Sequence, residues 1–300
     1  MSIMWLSYAS YSIQIDDIKN DLLNVLVYTI IVLVVFLVFW ALPPVRHIYH
    51  DPFEWAHRYG GWTALILLWA TVLVYYGKVE DDTRYRLQTV DLFSNPEIYV
   101  TIAVTVSIFT PWAFTRKVPV RIEFPSKAVA FLYFEGFIDF GRFARISRNP
   151  FNQSHAFAIS STKGSNEHFL IVGAVGDFTK GLHTDPPKEI YTRLFKFTGL
   201  SRLVKMYKRV VIMCTGAGVA VFNSIIWQNL FPDSEGFCFR LLWVASNIPE
   251  TFGQEWADKM NADERVLIYD TKKHGRPDMV KLTLSVYDYI KAEVVFITRY

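Results

Sequence analysis

The sequence predicts a three-part fold: a membrane α-helical N-terminal part of about three spans, then an antiparallel β-barrel lobe, then an α/β parallel-sheet lobe. Three observations predict it. Uncharged apolar runs occupy residues 25–42, 60–77 and 98–114. From Val118, short apolar runs alternate with charges and turn residues. From Lys208, continuous β-rich runs alternate with segments of helical period, the pattern of a parallel sheet.

The membrane part comes first in the chain. A bilayer core of about 30 Å needs roughly 20 helical residues, and each of the three runs reaches the lower end of that range. The connectors are polar, and Trp and Tyr stand at the run ends. The chain is 52% hydrophobic with a net charge of +3, and its mean hydropathy is +0.20. That balance excludes a nucleic-acid binder, because no dense Lys/Arg stripe is present. A basic start and early apolar core, the marks of a cleavable signal peptide, are missing. The basic residues flanking the runs are nearly balanced between the two sides, so they leave the orientation open.

The first soluble lobe is expected over residues 118–206. VPVRIEF (118–124), AVAFLYFEG (128–136), RFARIS (142–147), HAFAIS (155–160) and HFLIVGAV (168–175) read as its strands. The second is expected over 207–300. RVVIM (209–213), RLLWVAS (240–246), RVLIYD (265–270) and AEVVFIT (292–298) read as strands, separated by helical ETFGQEWADKM and PDMVKLTLSVYDYIK. Cys214 and Cys238 have neither metal spacing nor a disulfide framework. No Ser/His/Asp elbow and no His-Glu zinc motif occurs, so catalytic residues stay unassigned and no metal is expected.

Three stretches carry candidate binding chemistry. In TGAG (215–218), Gly216 and Gly218 follow a strand and open a helix; glycine lets a phosphate approach the backbone and a helix start offers free N–H groups. A glycine turn that merely packs two elements would carry the same letters. In GRFARIS and NQSHAFAIS (141–160), strand amides could meet a flat heterocycle, and His155 and Ser160 its phosphate or ribose oxygens; an ordinary hairpin with one surface histidine would carry the same letters. In GDFTKGL (176–182), Thr179 could start a helix facing a pyrophosphate, or simply cap it.

The order of these stretches resembles the ferredoxin–NADP reductase superfamily, which includes ferric reductases and NADPH oxidases. GRF (141–143) is similar to its G-Q-F barrel turn, and HAFAIS to its H-P-F-T/S flavin strand, with Ala158 where a hydroxyl residue is usual. TGAG matches its nicotinamide-nucleotide turn. HRYGGWTALILLW (57–69), GDFTK, YKRVVIMCTGAG (207–218), RLLWVASNIPETFG (240–253) and YDTKKHGRPDMVKL (269–282) resemble one fungal branch. Its members are TmpA-like integral membrane proteins, and the same module also occurs fused to adenylate-forming enzymes of secondary metabolism.

The resemblance implies FAD on the barrel lobe and NAD(P)H on the α/β lobe, with hydride passing between them to an unidentified acceptor. Flavin contact carries over to Arg142, Phe143, His155, Ala156, Phe157 and Thr179; nucleotide contact carries over to Thr215, Gly216, Gly218 and Arg276. It implies a multi-pass protein whose C-terminal lobes face the cytosol, where the nicotinamide nucleotide is, beside a membrane-proximal acceptor or biosynthetic partner.

Four departures qualify it. Gln153-Ser154 precedes the flavin strand where an acidic residue and Trp are usual, and Val221 replaces a proline or small residue. His47, His50 and His57 gather near one loop and the third run has none, so haem between facing helices is not expected. Relatives continue past VFITRY, which suggests a truncated chain and leaves Tyr300 as a terminal aromatic. The alternative is a non-catalytic, membrane-anchored binding or regulatory protein that retains a degenerate reductase fold.

Overall fold

The computed structural model describes residues 21–76, 93–151, 154–231 and 236–298, and of His50 and Asp51 the backbone only. Gln153, Asn152 and Tyr300, and the end of the second apolar run at Gly77, lie outside the described residues. The chain divides into two compact units, Met1–Thr110 and Pro111–Tyr300.

The first unit is helical. Helices Asp21–Ala41 and His50–Tyr76 are joined by the short helix Pro43–Ile48, and Pro96–Ala113 begins the third. Gly60 lets the first two approach: an added Cβ would stand 2.6 Å from Leu37 Cδ2. Trp69 Nε1 donates to Thr105 Oγ1 at 2.9 Å, tying the second helix to the third. Among the described residues one helix, Asp21–Ala41, is long and apolar enough to cross a bilayer. The other two runs are helices as expected but carry more polar groups. In Pro96–Ala113, Thr101, Thr105, Ser107 and Thr110 each return a hydroxyl to the carbonyl four residues back.

In the second unit the first strands are β1 (Thr115–Pro119), β2 (Arg121–Glu123), β3 (Val129–Glu135), β4 (Arg142–Ser147), β5 (His155–Ser161) and β6 (Glu167–Gly173). After the helix Asp177–Thr184 come β7 (Glu189–Arg193) and β8 (Phe197–Thr198). They form one antiparallel sheet in the order β1-β7-β4-β5-β6-β3-β2, with β8 on β4. The two edges, β1 and β2, are separated in the chain by Val120 alone, so the sheet must curl back on itself into a near-barrel. The single strand expected at 118–124 therefore breaks at Val120 and supplies both edges. β7 and β8 have no counterpart among the strands read from sequence, and the sheet has eight strands; both are short, and the outward residues of β7, Glu189, Tyr191 and Arg193, are polar.

The interior is filled by Ala130, Leu132, Ile146, Ile159, Leu170 and Leu182, the last dropped in from the helix that caps one end. β3 and β6 are buried on both faces. Leu132 and Leu170 point into the barrel, while Phe131 and Phe169 join the core of the next lobe. Phe131 lies 6.3 Å from Trp256, and Phe169 lies 5.2 Å from Trp227. This double burial is why these strands read as continuous apolar runs.

The next lobe is a parallel sheet of β9 (Arg209–Thr215), β10 (Cys238–Ala245), β11 (Val266–Asp270) and β12 (Val294–Thr298), in the order β11-β10-β9-β12. The four strands read from sequence are all present. Trp243 is fully buried at its centre, against Phe252 at 5.0 Å and Trp256 at 4.9 Å. Barrel and parallel sheet thus share one hydrophobic core.

Candidate functional site

The parallel sheet has one topological switch. The chain enters at β9, moves to β10 and β11, then returns to β12 on the other side of β9. In open α/β sheets, ligands bind outside the carboxyl ends of the strands at such a point. Thr215 ends β9 there, and the 3₁₀ turn Gly216–Val221 leaves from it.

The two glycines of this turn do different work. Gly216 has φ +52°, which side-chain-bearing residues rarely adopt, and an added Cβ would meet open space. Its carbonyl accepts from Trp243 Nε1 at 3.0 Å. Gly218 is a packing residue: an added Cβ would lie 3.2 Å from the carbonyl oxygen of Thr298, and its own carbonyl accepts from Thr298 Oγ1 at 3.1 Å. On the same edge Asn247 adopts φ +48°. Asp270 accepts from the backbone N–H of Asn247 at 2.8 Å and of Lys272 at 2.9 Å. Burial pushes the Asp270 carboxyl up, but these donors and that of Ile248 outweigh it and hold the group below its ordinary value. Arg276 is exposed, between the helices Thr271–His274 and Met279–Ile290.

The barrel residues split by strand alternation. The β4–β5 register pairs Phe143 with Ala158, Ala144 with Phe157, Arg145 with Ala156 and Ile146 with His155. Ala144 and Ile146 face the interior. Phe157 and His155 therefore lie on that side, where the capping helix meets them: the His155 ring stacks on Phe178 at 4.3 Å, and Phe157 lies 6.5 Å from the same ring. Phe143, Ala156 and Ala158 lie on the opposite face. Phe143 stacks on Phe197 at 5.4 Å, and Ala158 packs on the shared core. Arg142 stands at the far end of β4, where it lines a cavity with Arg116 and Lys196.

Thr179 is buried and its hydroxyl is engaged locally. It accepts from the N–H of Val175 at 3.0 Å and of Gly176 at 3.1 Å, and donates to the Gly176 carbonyl at 3.0 Å. An added Cβ at Gly176 would meet open space. The structure therefore brings His155, Phe157 and Thr179 to one end of the barrel through Phe178, leaves Arg142 at the other, and sets Thr215, Gly216 and Gly218 on the edge of the parallel sheet.

A buried polar seam joins β5 to the element after the glycine turn, and it takes up Ser160, which the sequence offered to a phosphate or ribose oxygen: the residue is fully buried and its hydroxyl faces protein. Ser160 Oγ donates to Asn223 Oδ1 at 2.8 Å, and the Ser161 N–H donates to Ser224 Oγ at 3.1 Å. Gln228 Nε2 donates to Ser161 Oγ at 2.7 Å, which in turn donates to the Ile138 carbonyl. The signal was there as polar residues inside two otherwise apolar segments, ISS (159–161) and NSIIWQ (223–228). Among the described residues no cluster of three or more His, Cys, Asp or Glu is placed to hold a metal. His57 packs on Phe53 at 4.4 Å.

The chain is similar to known proteins over part or all of its length. Residues 200–299 match the family model described as Adenylate-forming reductase 03009, C-terminal domain. The chain is 32% identical over 302 aligned positions to Adenylate-forming reductase 03009 of Coprinopsis cinerea, covering 99% of this chain and 29% of that protein. It is 34% identical over 273 positions to Adenylate-forming reductase 06235 of the same fungus, covering 90% of this chain and 26% of that protein. The chain thus spans less than a third of the length of these curated relatives. Among solved structures it is similar to a ferredoxin NADP+ reductase from Neisseria gonorrhoeae with bound FAD and NADP, at 14% identity and TM-score 0.45, covering 62% of this chain and 98% of that one. Phthalate dioxygenase reductase gives 12% identity and TM-score 0.46, covering 62% of this chain and 68% of that one.

Proposed function

We propose that this chain is a membrane-anchored NAD(P)H-dependent flavin oxidoreductase module. The observation that carries this reading is a glycine turn at the switch point of a parallel sheet, packed without a linker against barrel strand β5. Names of the similar Coprinopsis proteins include the word reductase, and the aligned region is the one that carries both lobes.

In this reading a nicotinamide nucleotide docks at Thr215 and Gly216, where positive φ and open space let phosphate oxygens approach the backbone. Gly218 keeps the turn close to β12, and Arg276 is a candidate counter-charge at the rim. FAD is assigned to the β4–β5 strip and the start of the helix Asp177–Thr184, where Gly176 leaves the backbone open. His155 and Phe157 would position it through the aromatic wall they share with Phe178. FAD would supply the link between a two-electron donor and one- or two-electron acceptors. The apolar helices would hold the module at a bilayer, with both lobes on the cytosolic side near an acceptor or biosynthetic enzyme, and the setting implied by the sequence resemblance is secondary metabolism.

A non-catalytic reading has specific support too. Gly218 is explained by packing alone, Thr179 by capping alone, Ala158 lacks a hydroxyl, and Asp177 puts a carboxylate in the first turn of the proposed phosphate helix. The test is Gly216→Val in the full chain. The catalytic reading predicts that nicotinamide-nucleotide binding, measured by titration calorimetry, falls at least about tenfold while FAD binding holds. Unchanged nucleotide binding, or none in the parent chain, would favour the scaffold.

A further inference from the structure

The end of the barrel opposite the capping helix is open, and its cavity has a volume of about 760 Å³. That size is typical of small-molecule sites. Its wall has two chemical halves. One is cationic, with Arg116, Arg142, Arg193 and Lys196. The other is apolar, with Phe134, Phe137, Ile138 and Phe195.

The charge on this wall is unbalanced. Among the described residues none of the four cations makes an ion pair. Of the two carboxylates on the rim, Glu135 and Asp139, the second is already bound to Arg202 at 2.6 Å. Lys196 Nζ donates only to neutral acceptors, Thr192 Oγ1 at 2.8 Å and the Arg193 carbonyl at 2.9 Å. Burial and the neighbouring Arg145 guanidinium both disfavour the charge on Arg193. His168, also on the wall, turns Nδ1 to the Gly136 carbonyl and offers no counter-charge.

Arg193 and Lys196 are half-buried while Arg116 and Arg142 stand exposed at the rim; half-buried cations without a counter-charge cost stability, and an anionic ligand offsets that cost through charge-assisted hydrogen bonds. A wholly polar anion such as inorganic phosphate would leave the phenylalanine half of the wall wet. We propose that this cavity binds an anionic amphiphile, a carboxylate or phosphate head on an apolar body, with the head on Lys196 and the three arginines and the body along Phe134, Ile138 and Phe137. The site is separate from the flavin position proposed beside His155 and the capping helix: Arg142, expected from the resemblance to contact flavin, stands at the other end of β4 and belongs to the cavity wall.

The test uses the full chain in nanodiscs of neutral phosphatidylcholine with radiolabelled oleate as probe. Saturable binding near one per chain is expected, displaced by unlabelled oleate and by lysophosphatidate but not by oleyl alcohol or by FAD. The stronger of the two anionic competitors tells whether the head is a fatty carboxylate or a lipid phosphate. Lys196→Met should weaken oleate about tenfold, and Arg116→Gln, at an exposed position that folding tolerates, about threefold or more. If Lys196→Met fails to fold, the Arg116→Gln titration decides alone. Absence of saturable binding, equal displacement by oleyl alcohol, or an unchanged Arg116→Gln affinity would overturn the site. Displacement by FAD would overturn its independence and assign the cavity to the flavin.

Discussion

At one end of the barrel, the helix Asp177–Thr184 drops Leu182 into the interior, stacks Phe178 on His155 and closes its own start through Thr179. At the other end, Arg116, Arg142, Arg193 and Lys196 line an open cavity, and no described carboxylate pairs with any of them. At the closed end the Thr179 and Thr184 hydroxyls are satisfied from within four residues. The open end leaves charge that only solvent or a ligand can answer. Of the barrel's motif residues, His155, Phe157 and Thr179 stand at the closed end, where part of what they do is structural, and Arg142 stands at the open end, where the charge is unmet.

The comparison assumes one cooperative body behind both ends, and the largest effect tests that. Trp243→Ala removes the indole at the centre of the shared core and should cost about 3–5 kcal/mol. Barrel and sheet should still melt in one transition by calorimetry; two separated transitions would break the comparison at its base. Next is the seam. Ser161→Ala leaves Gln228 Nε2 and the Ile138 carbonyl without their partner, and should cost about 1–3 kcal/mol in thermal or urea unfolding.

Thr179→Val sharpens the closed end. It removes the hydroxyl that accepts from two backbone N–H groups, with an expected cost of about 1 kcal/mol. Because that hydroxyl is already engaged, FAD affinity should change little; a large loss would mean that the hydroxyl leaves the cap for the ligand.

The smallest effect is at the open end. Burial lowers Lys196 from its ordinary 10.5 to about 8. The folded chain therefore releases this proton first, and between about 8 and 10.5 the unfolded state holds more protons, so stability rises with pH. Lys196→Met, in amphiphile-free protein, should be slightly more stable than the parent at pH 7 and lose that advantage as the pH approaches 10. A constant Tm difference would mean that Lys196 is well solvated.

The parallel sheet was nearly all legible. Its strands are continuous β-rich runs because both faces are covered, and the glycine turn marks the end of the first. The barrel was less so. Val120 splits one apparent strand into two edges; Pro119 marks the break, since proline belongs at strand ends and edges, but the apolar residues on either side of it make the run read as continuous. β7 and β8 owe their place to pairing partners far along the chain, and periodicity reads only neighbours. The sequence expectation put flavin contacts along β4 and β5, but alternation divides that strip: His155 and Phe157 share one face, Phe143, Ala156 and Ala158 the other. The polar seam through Ser160 and Asn223 needed the tertiary structure, because single buried serines and asparagines look like surface residues in a sequence.

The central claim is that the joined lobes hold a flavin that a nicotinamide nucleotide can reduce. The direct measurement is the visible absorbance spectrum of the full chain, purified in detergent with FAD supplied and excess removed. The account predicts the yellow band of an oxidised flavin that bleaches when NADPH or NADH is added without air. A folded, colourless protein, or a yellow one whose band neither nucleotide bleaches, would contradict it.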